Sequence, residues 1–395
     1  MSRLSEARAV WIGWIVARGA LLALIVYEPG PMTDVNYYFL GAGAADGLRE
    51  YPHAATWVIH ALYGLTGDNL SLFQLAFMGM NLLIDALLLA LLLRGGVSAR
   101  HPGRAGWFWV FFGTACGQVL LMRLDLIPAA LVGAFAALLF INGALAATAL
   151  AAATAVKLWP GVLGAGLVGR AGVRSTWGRV GVFFLVLVGF LLLTWATGGA
   201  ERIFSPVTYQ EERGLQVESV AATPALVAAQ FHPERYQVHF AESKSWEISG
   251  PGVEALITVA DTALLLVVAG ALGWALVSLR RGRFRPEVTV ALGVTLIAGL
   301  LVSNKVFSPQ YVIWLGPILA VALRTSTLRH PHVLGVLVIL SALLSTVVYP
   351  FTYGEVLAPG SGWTGVGALV LRNLCVLVIF GYGLLWLRTE IRTPT

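Results

Sequence analysis

Apolar runs, many of them of membrane-crossing length, recur along almost the whole chain, and that recurrence restricts its possible folds more than any other feature. They lie at about 9–27, 71–93, 107–121, 126–141, 144–156, 160–169, 180–196, 254–278, 287–302, 310–323, 333–349 and 364–387. Roughly 20 apolar residues carry a helix across the hydrocarbon core, where only helices and closed barrels satisfy their backbone groups. Hydrophobic residues make up 58% of the 395, charged residues 12%, and the mean hydropathy is +0.80. A soluble domain of this composition would expose apolar surface and aggregate. The expected fold is therefore an all-α polytopic membrane protein, one domain over residues 1–395 with about 12 membrane segments.

Orientation follows from arginine. Arg94, Arg100 and Arg104 fall between apolar runs, as do Arg170, Arg174 and Arg179, the dense group Arg280, Arg281, Arg283 and Arg285, and the pair Arg324 and Arg329. Lys/Arg-rich short loops face the cytoplasm, so these loops and both termini are assigned inside, in a plasma membrane. Short clusters between apolar runs are not a nucleic-acid footprint, despite the net charge of +6. Cys116 and Cys375 both sit inside apolar runs without metal-ligand spacing. No small-x-small cleavage site follows the first run, which reads as a retained helix.

The region 144–169 is long enough for one helix, yet the loops on both sides of it must lie inside. Pro160 in VKLWPGV resolves the conflict, because a mid-helix proline removes a hydrogen bond and clashes with the preceding turn. The expectation is two short helices folded as a hairpin, with Lys157 and Trp159 near its outer tip. Two outer stretches are long: 28–70, which contains Asp34, and 197–253, which contains Trp246 and several Glu. Loops of that length are usually functional or disordered, and neither is of low complexity.

Sorted by side, the unusual polar residues gather at one depth. Asp34 follows the first helix, Arg123 and Asp125 lie in LMRLDLIP, Lys157 is at the hairpin tip, Arg213 and Glu218 are in ERGLQVES, and Lys305 is in VSNKVFSPQY. The chain has 26 Lys and Arg together but only three lysines, Lys157, Lys244 and Lys305. Two of the three stand at outer helix ends, each beside an aromatic and a proline. Snorkelling explains either one alone; both together favour phosphate contacts. Arg372 lies deeper in the last run and needs a partner or water. Asp85 and Asp261 also fall within apolar runs, where a packing hydrogen bond explains them as readily as chemistry does. Tyr37 and Tyr38 suit packing against a sugar or anchoring at the interface. Arg213, Glu218, Gln310 and His53 are candidates for acceptor or loop contacts, and His232 is a further loop histidine.

Five segments, TDVNYYFLGA, RLDLIPAAL, AVKLWPGVL, ERGLQVES and SNKVFSPQYVIWLGP, occur in an order that resembles the GT-C fold polyprenol-phosphate-mannose-dependent mannosyltransferases of glycosyltransferase family 87. With the helix count, the similarity covers nearly the whole chain. Its nearest functional relatives would be actinobacterial α-1,2-mannosyltransferases that extend phosphatidylinositol mannosides or lipomannan. The resemblance implies a GT-C-type fold with an extracytoplasmic active site, in which the first outer loop supplies the general base, here Asp34. It also implies a polyprenyl-phosphate-sugar donor and a glycolipid or lipoglycan acceptor; the candidates for the donor phosphate and sugar are Arg123, Asp125, Lys157, Lys305, Arg372 and Tyr38. No metal site is expected; a divalent ion is compatible with the acidic residues, but a monophosphate donor does not require one. Two other readings share the composition. One keeps the fold and changes the sugar to arabinose or glucose. The other is a transporter, which usually places its site at the bilayer midplane among broken helices.

Overall fold

The long apolar runs become long helices, and the punctuation between them is set by caps, prolines and glycines that can be read residue by residue. The structure, a computed structural model, describes residues 3–44, 47–94, 100–211 and 213–393. In chain order, α1 (Arg3–Tyr27) leads to two shorter helices, α2 (Met32–Gly43) and α3 (His53–Thr66), then α4 (Leu70–Leu93) and α5 (Pro102–Ala115). The short α6 (Val119–Met122) precedes α7 (Leu126–Leu138), α8 (Gly143–Val156), a 3-10 helix over Trp159–Leu167, and α9 (Arg174–Gly198). Then come α10 (Glu201–Glu211), α11 (Thr223–Phe231), strands β1 (Gln237–Phe240) and β2 (Trp246–Ser249), α12 (Val253–Arg281) and α13 (Pro286–Ser303). A 3-10 helix at Pro309–Trp314 runs into α14 (Leu315–Thr325), followed by α15 (His330–Thr346), α16 (Tyr353–Leu357) and α17 (Thr364–Arg392).

Among the described residues seven helices are long and apolar enough to cross a membrane: α1, α4, α9, α12, α13, α15 with its extension to Phe351, and α17. The protein is a multi-pass α-helical membrane protein. Helices α7 and α8 are apolar but shorter. Helix α13 is buried on nearly every side and packs against α12, α14 and α17, as an all-round apolar helix must. Asn69 caps α4 by accepting from the Leu72 amide at 3.0 Å, and Asn142 caps α8 by accepting from Ala144 and Leu145. Helix α5 ends at Gly117, whose φ of +58° takes the left-handed turn that brings in α6.

Three expectations change in detail. Helix α8 does stop before Pro160, and it stops at Val156, the residue whose carbonyl the proline ring would strike. The second limb, however, is a 3-10 helix instead of an α-helix. The stretch 28–70 is mostly helical, as α2 and α3, and Asp34 sits in the first turn of α2, where the helix dipole favours a carboxylate. The stretch 197–253 folds into α10, α11 and an antiparallel hairpin pairing Gln237 with Ser249 through Phe240 with Trp246. That hairpin shares a small second core with α11, α16 and α17, built on Leu215, Val217, Leu226, Ile248, Val356 and Leu369.

A buried ion pair ties the first helices together. Arg18 on α1 donates to both carboxylate oxygens of Asp85 on α4, through Nε at 2.6 Å and Nη2 at 2.9 Å. Asp85 also accepts from the indoles of Trp14, at 2.7 Å, and Trp109, at 2.6 Å. Gly113 makes room, since a Cβ there would collide with the Arg18 guanidinium.

Candidate functional site

The polar residues singled out in the sequence come together at one end of the helical bundle, as three ion pairs and one lysine. The first pair joins Asp34 to Arg123. The Asp34 Oδ2 meets Arg123 Nη1; Arg123 is 5% exposed, while Asp34 keeps 39% of its side chain open. Arg123 also donates to the carbonyl of Pro31 and to the Tyr349 hydroxyl, each at 3.4 Å, and its guanidinium lies 5.7 Å from the Tyr349 ring. The residue that holds Asp34 is therefore fixed by the segment before α2 and by the end of α15.

The second pair is Lys157 with Asp125. The Lys157 Nζ donates to Asp125 Oδ1 at 2.5 Å, and Trp314 Nε1 donates to the same oxygen at 2.7 Å. Rings wall this pair: Trp159 stacks on Trp314 at 4.6 Å, Tyr311 stacks on Trp314 at 4.2 Å, and the ammonium lies 4.9 Å from the Tyr311 centroid. The break after α8 makes this possible, because it turns Lys157 and Trp159 toward the 3-10 helix at Pro309–Trp314.

The third pair is buried. Arg372, two turns into α17, donates to the Glu218 carbonyl at 2.6 Å and faces its carboxylate at 3.8 Å. Its guanidinium stacks on the Phe307 ring at 3.9 Å. Asn373 holds the same stretch by donating to the Ser219 carbonyl and Thr223 Oγ1. Burial pushes the Glu218 carboxyl up to about 7, against the pull of Arg372, the Tyr353 hydroxyl and Arg123. Tyr353 packs edge-on against Tyr349 at 5.2 Å. A continuous polar line thus runs from Asp34 through Arg123, Tyr349 and Tyr353 to Glu218 and Arg372.

Lys305 completes the set from the segment between α13 and the second 3-10 helix. Its carbonyl accepts from the Gln216 amide at 3.0 Å, and Gln216 Oε1 in turn accepts from the Phe307 amide at 2.5 Å. Its ammonium makes no hydrogen bond or ion pair with the described residues.

Other candidates lie elsewhere or are closed off. Tyr38 is in the core, 2% exposed, against Phe77 at 5.4 Å and accepting from the Tyr51 hydroxyl, so it is not open to a sugar. Tyr37 donates to Glu50 Oε1 at 2.5 Å. His53 pairs with Thr197 Oγ1 at 3.1 Å near the end of α9, apart from Asp34, and burial with Arg202 nearby lowers its pKa. Gln310 and Arg213 are half-buried. Among the described residues no group of three or more His, Cys, Asp or Glu side chains is placed to hold a metal ion. Sequence reasoning missed Tyr349, Tyr353, Trp314 and Asn373; the first three stand at or near the edges of apolar runs, whereas Asn373 is a polar residue inside the last run. Comparison with protein-family models, curated proteins and solved structures finds no match to this chain.

Proposed function

We propose that this protein is an inverting glycosyltransferase of the GT-C type, with about 12 membrane segments counting the short helices, which moves mannose from a polyprenyl-phosphate-mannose donor to a hydroxyl of a glycolipid or lipoglycan. The observation that carries the reading is the gathering of Asp34–Arg123, Asp125–Lys157, Glu218–Arg372 and Lys305 at one end of an apolar helical bundle. A lipid-linked sugar phosphate presents its anomeric carbon and its negative charge together at that depth. Asp34, part-exposed and oriented by Arg123, takes the proton of the acceptor hydroxyl. A positioned carboxylate of this kind contributes about 10²–10⁴-fold. The hydroxyl oxygen bonds to the anomeric carbon from the opposite face, and the bond to phosphate oxygen breaks with its electron pair. Polyprenyl phosphate leaves, and a β-linked donor gives an α-linked product, with 1,2 linkage by resemblance. Fixed cations stabilise the departing phosphate, an electrostatic contribution that is often the largest in catalysis. In this reading the site faces outward from the plasma membrane and both termini are cytoplasmic.

The test is transfer of radiolabelled mannose from polyprenyl-phosphate-mannose into endogenous lipid, in membranes carrying wild type or Asp34→Asn at matched abundance. Transfer by wild type alone is the expected result. Equal transfer by both removes Asp34 as base, and transfer only from polyprenyl-phosphate-arabinose or -glucose changes the sugar. No transfer from any such donor overturns the reading.

A further inference from the structure

A cavity of about 370 Å³ lies between the Trp159–Leu167 segment, α9 and α12, and is lined by Gly164, Val168, Val180, Phe183, Ala271 and Ala275. Phe184 and Leu272, also in its wall, are 57% and 62% exposed, so the cavity opens sideways toward lipid. Its wall is wholly apolar, and along the 3-10 segment it runs from Gly161 to Val168, about 14 Å at the 3-10 rise. Its Val168 end lies away from Asp34 and Lys157. Helix α8 spans the distance, since its first residue, Gly143, sits against the Arg179 side chain and Lys157 follows its last.

Arg179 connects that end of the cavity to a group of arginines. Its Nε donates to the carbonyl of Leu167, a wall residue, at 3.0 Å, and its guanidinium lies 3.6 Å from the Phe284 ring centroid. The side chain is 7% exposed, yet its Nη2 has no hydrogen-bond partner among the described residues. Nη2 faces Gly169, the neighbour of Val168: a Cβ there would come within 3.2 Å of it. The turn after Gly169 leads into α9, whose start carries no side-chain cap. The Ala171 amide of the same turn donates to the Leu279 carbonyl at 2.9 Å, which brings the end of α12 alongside. Arg170, Arg174, Arg280, Arg281 and Arg283 are thereby gathered, all exposed and none with a side-chain hydrogen bond or ion pair among the described residues. Across residues 158–200 and 262–289 the one carboxylate is Glu287.

We infer that this is a binding site for an anionic membrane phospholipid, with one acyl chain in the cavity and the headgroup phosphate between the start of α9 and the arginines. The site is separate from the one that carries the proposed transfer, and the inference does not depend on that transfer. Guanidinium groups pair with phosphate oxygens in a two-pronged geometry, and a free helix N-terminus adds amide donors and a favourable dipole. A basic pocket between membrane helices is the setting in which anionic headgroups are held. A zwitterionic phospholipid would bring its own cation into a region with five unpaired arginines.

The experiment uses the full chain in phosphatidylcholine nanodiscs doped with phosphatidylglycerol that carries a photoreactive diazirine in one acyl chain. Cross-linked peptides are mapped by mass spectrometry. Label is expected on the α9 peptide with Phe183 and Phe184 and on the α12 peptide with Ala271 and Leu272. Unlabelled phosphatidylglycerol should displace it, whereas added phosphatidylcholine or a sugar-free polyprenyl phosphate should not. Replacing Arg280 and Arg283 together by Gln should raise the probe level needed for half-maximal labelling about thirtyfold, at about fivefold for each cation near the membrane surface. Both side chains are exposed, so the fold does not depend on them. Gly164→Leu should remove the label from these peptides, because a Cβ at Gly164 meets only the Phe183 ring, at an ordinary 3.7 Å, and the longer side chain enters the cavity. Label spread evenly over the lipid-facing helices, equal displacement by phosphatidylcholine, displacement by polyprenyl phosphate, or labelling indifferent to the arginine substitutions would overturn the inference.

Discussion

Removing the Asp85 carboxylate tests the packing beneath the site, and its cost can be worked from the bonds it accepts. Asp85 receives two bonds from Arg18 and one each from Trp14 and Trp109, at 2.6–2.9 Å, with no part of its side chain exposed. Were these ordinary interhelical hydrogen bonds in a membrane, each would be worth about 0.6 kcal/mol. A buried ion pair behaves differently, because losing one partner strands the other charge at a cost of about 3–5 kcal/mol. In Asp85→Ala, Arg18 keeps only the carbonyls of Val110 at 3.3 Å and Trp109 at 3.5 Å. Asp85→Ala should therefore lose about 3–5 kcal/mol and Arg18→Met a similar amount, while the double variant loses well under the sum, since neither charge is left alone. The assay is reversible unfolding in mixed micelles by dodecyl sulfate titration, followed by tryptophan fluorescence and far-ultraviolet dichroism. Single losses that add up in the double variant, or an Asp85→Ala loss below about 1 kcal/mol, would refute the ion-pair argument.

Two further outcomes follow from the site. Asp125→Ala should destabilise more than Lys157→Met, because Asp125 is 4% exposed and also accepts from Trp314, whereas Lys157 is 23% exposed; thermal unfolding in detergent with the reverse order would count against the pairing. Glu218 holds its proton in the fold up to about 7, against an ordinary 4.5, whereas the unfolded chain releases it near 4.5. Stability should accordingly fall by roughly 3 kcal/mol as pH rises from 4.5 to 7 and level off above that; a Glu218→Gln variant that keeps the same slope would show that another group is responsible.

What could be read in the sequence is what local chemistry writes there. The break at Val156 was legible because Pro160 acts on a carbonyl four residues away. Asp34, Lys157 and Lys305 stood out because a charge beside an apolar run is costly wherever the chain folds. Arg18, near the middle of the first run, carries the same signal of cost; what its surroundings do not show is the partner that meets it, 67 positions away. Trp14 and Trp109 give no local sign of their role, because nothing nearby in sequence reveals the carboxylate they share. The helices α2 and α3 were hidden because each is too short to cross a membrane and they lie in a stretch punctuated by Pro and Gly. The β1–β2 hairpin was missed for a related reason, since four-residue strands carry little pattern of their own.

Charge pairing also sorts residues that the sequence could only treat alike. Arg123, Lys157, Lys305 and Arg372 were all candidates for a substrate phosphate, and each is a cation at one end of the bundle. In the folded protein Arg123 meets Asp34, Lys157 meets Asp125 and Arg372 faces Glu218, so three of the four have an acidic partner. An anion arriving at a paired cation must displace or repel a carboxylate held within hydrogen-bond reach. At Lys305 it meets an ammonium with no ion pair to break. Arg372 adds to this, because its carboxylate partner is pushed toward the neutral form by burial, which leaves the guanidinium charge incompletely balanced when Glu218 is protonated. The positive potential available to a ligand is therefore concentrated between Lys305 and Arg372, while the two other pairs hold their side chains in place. On this argument Lys305→Met should weaken binding of the proposed polyprenyl-phosphate donor, whereas a loss at Lys157→Met should track the position of Asp125 and Trp314.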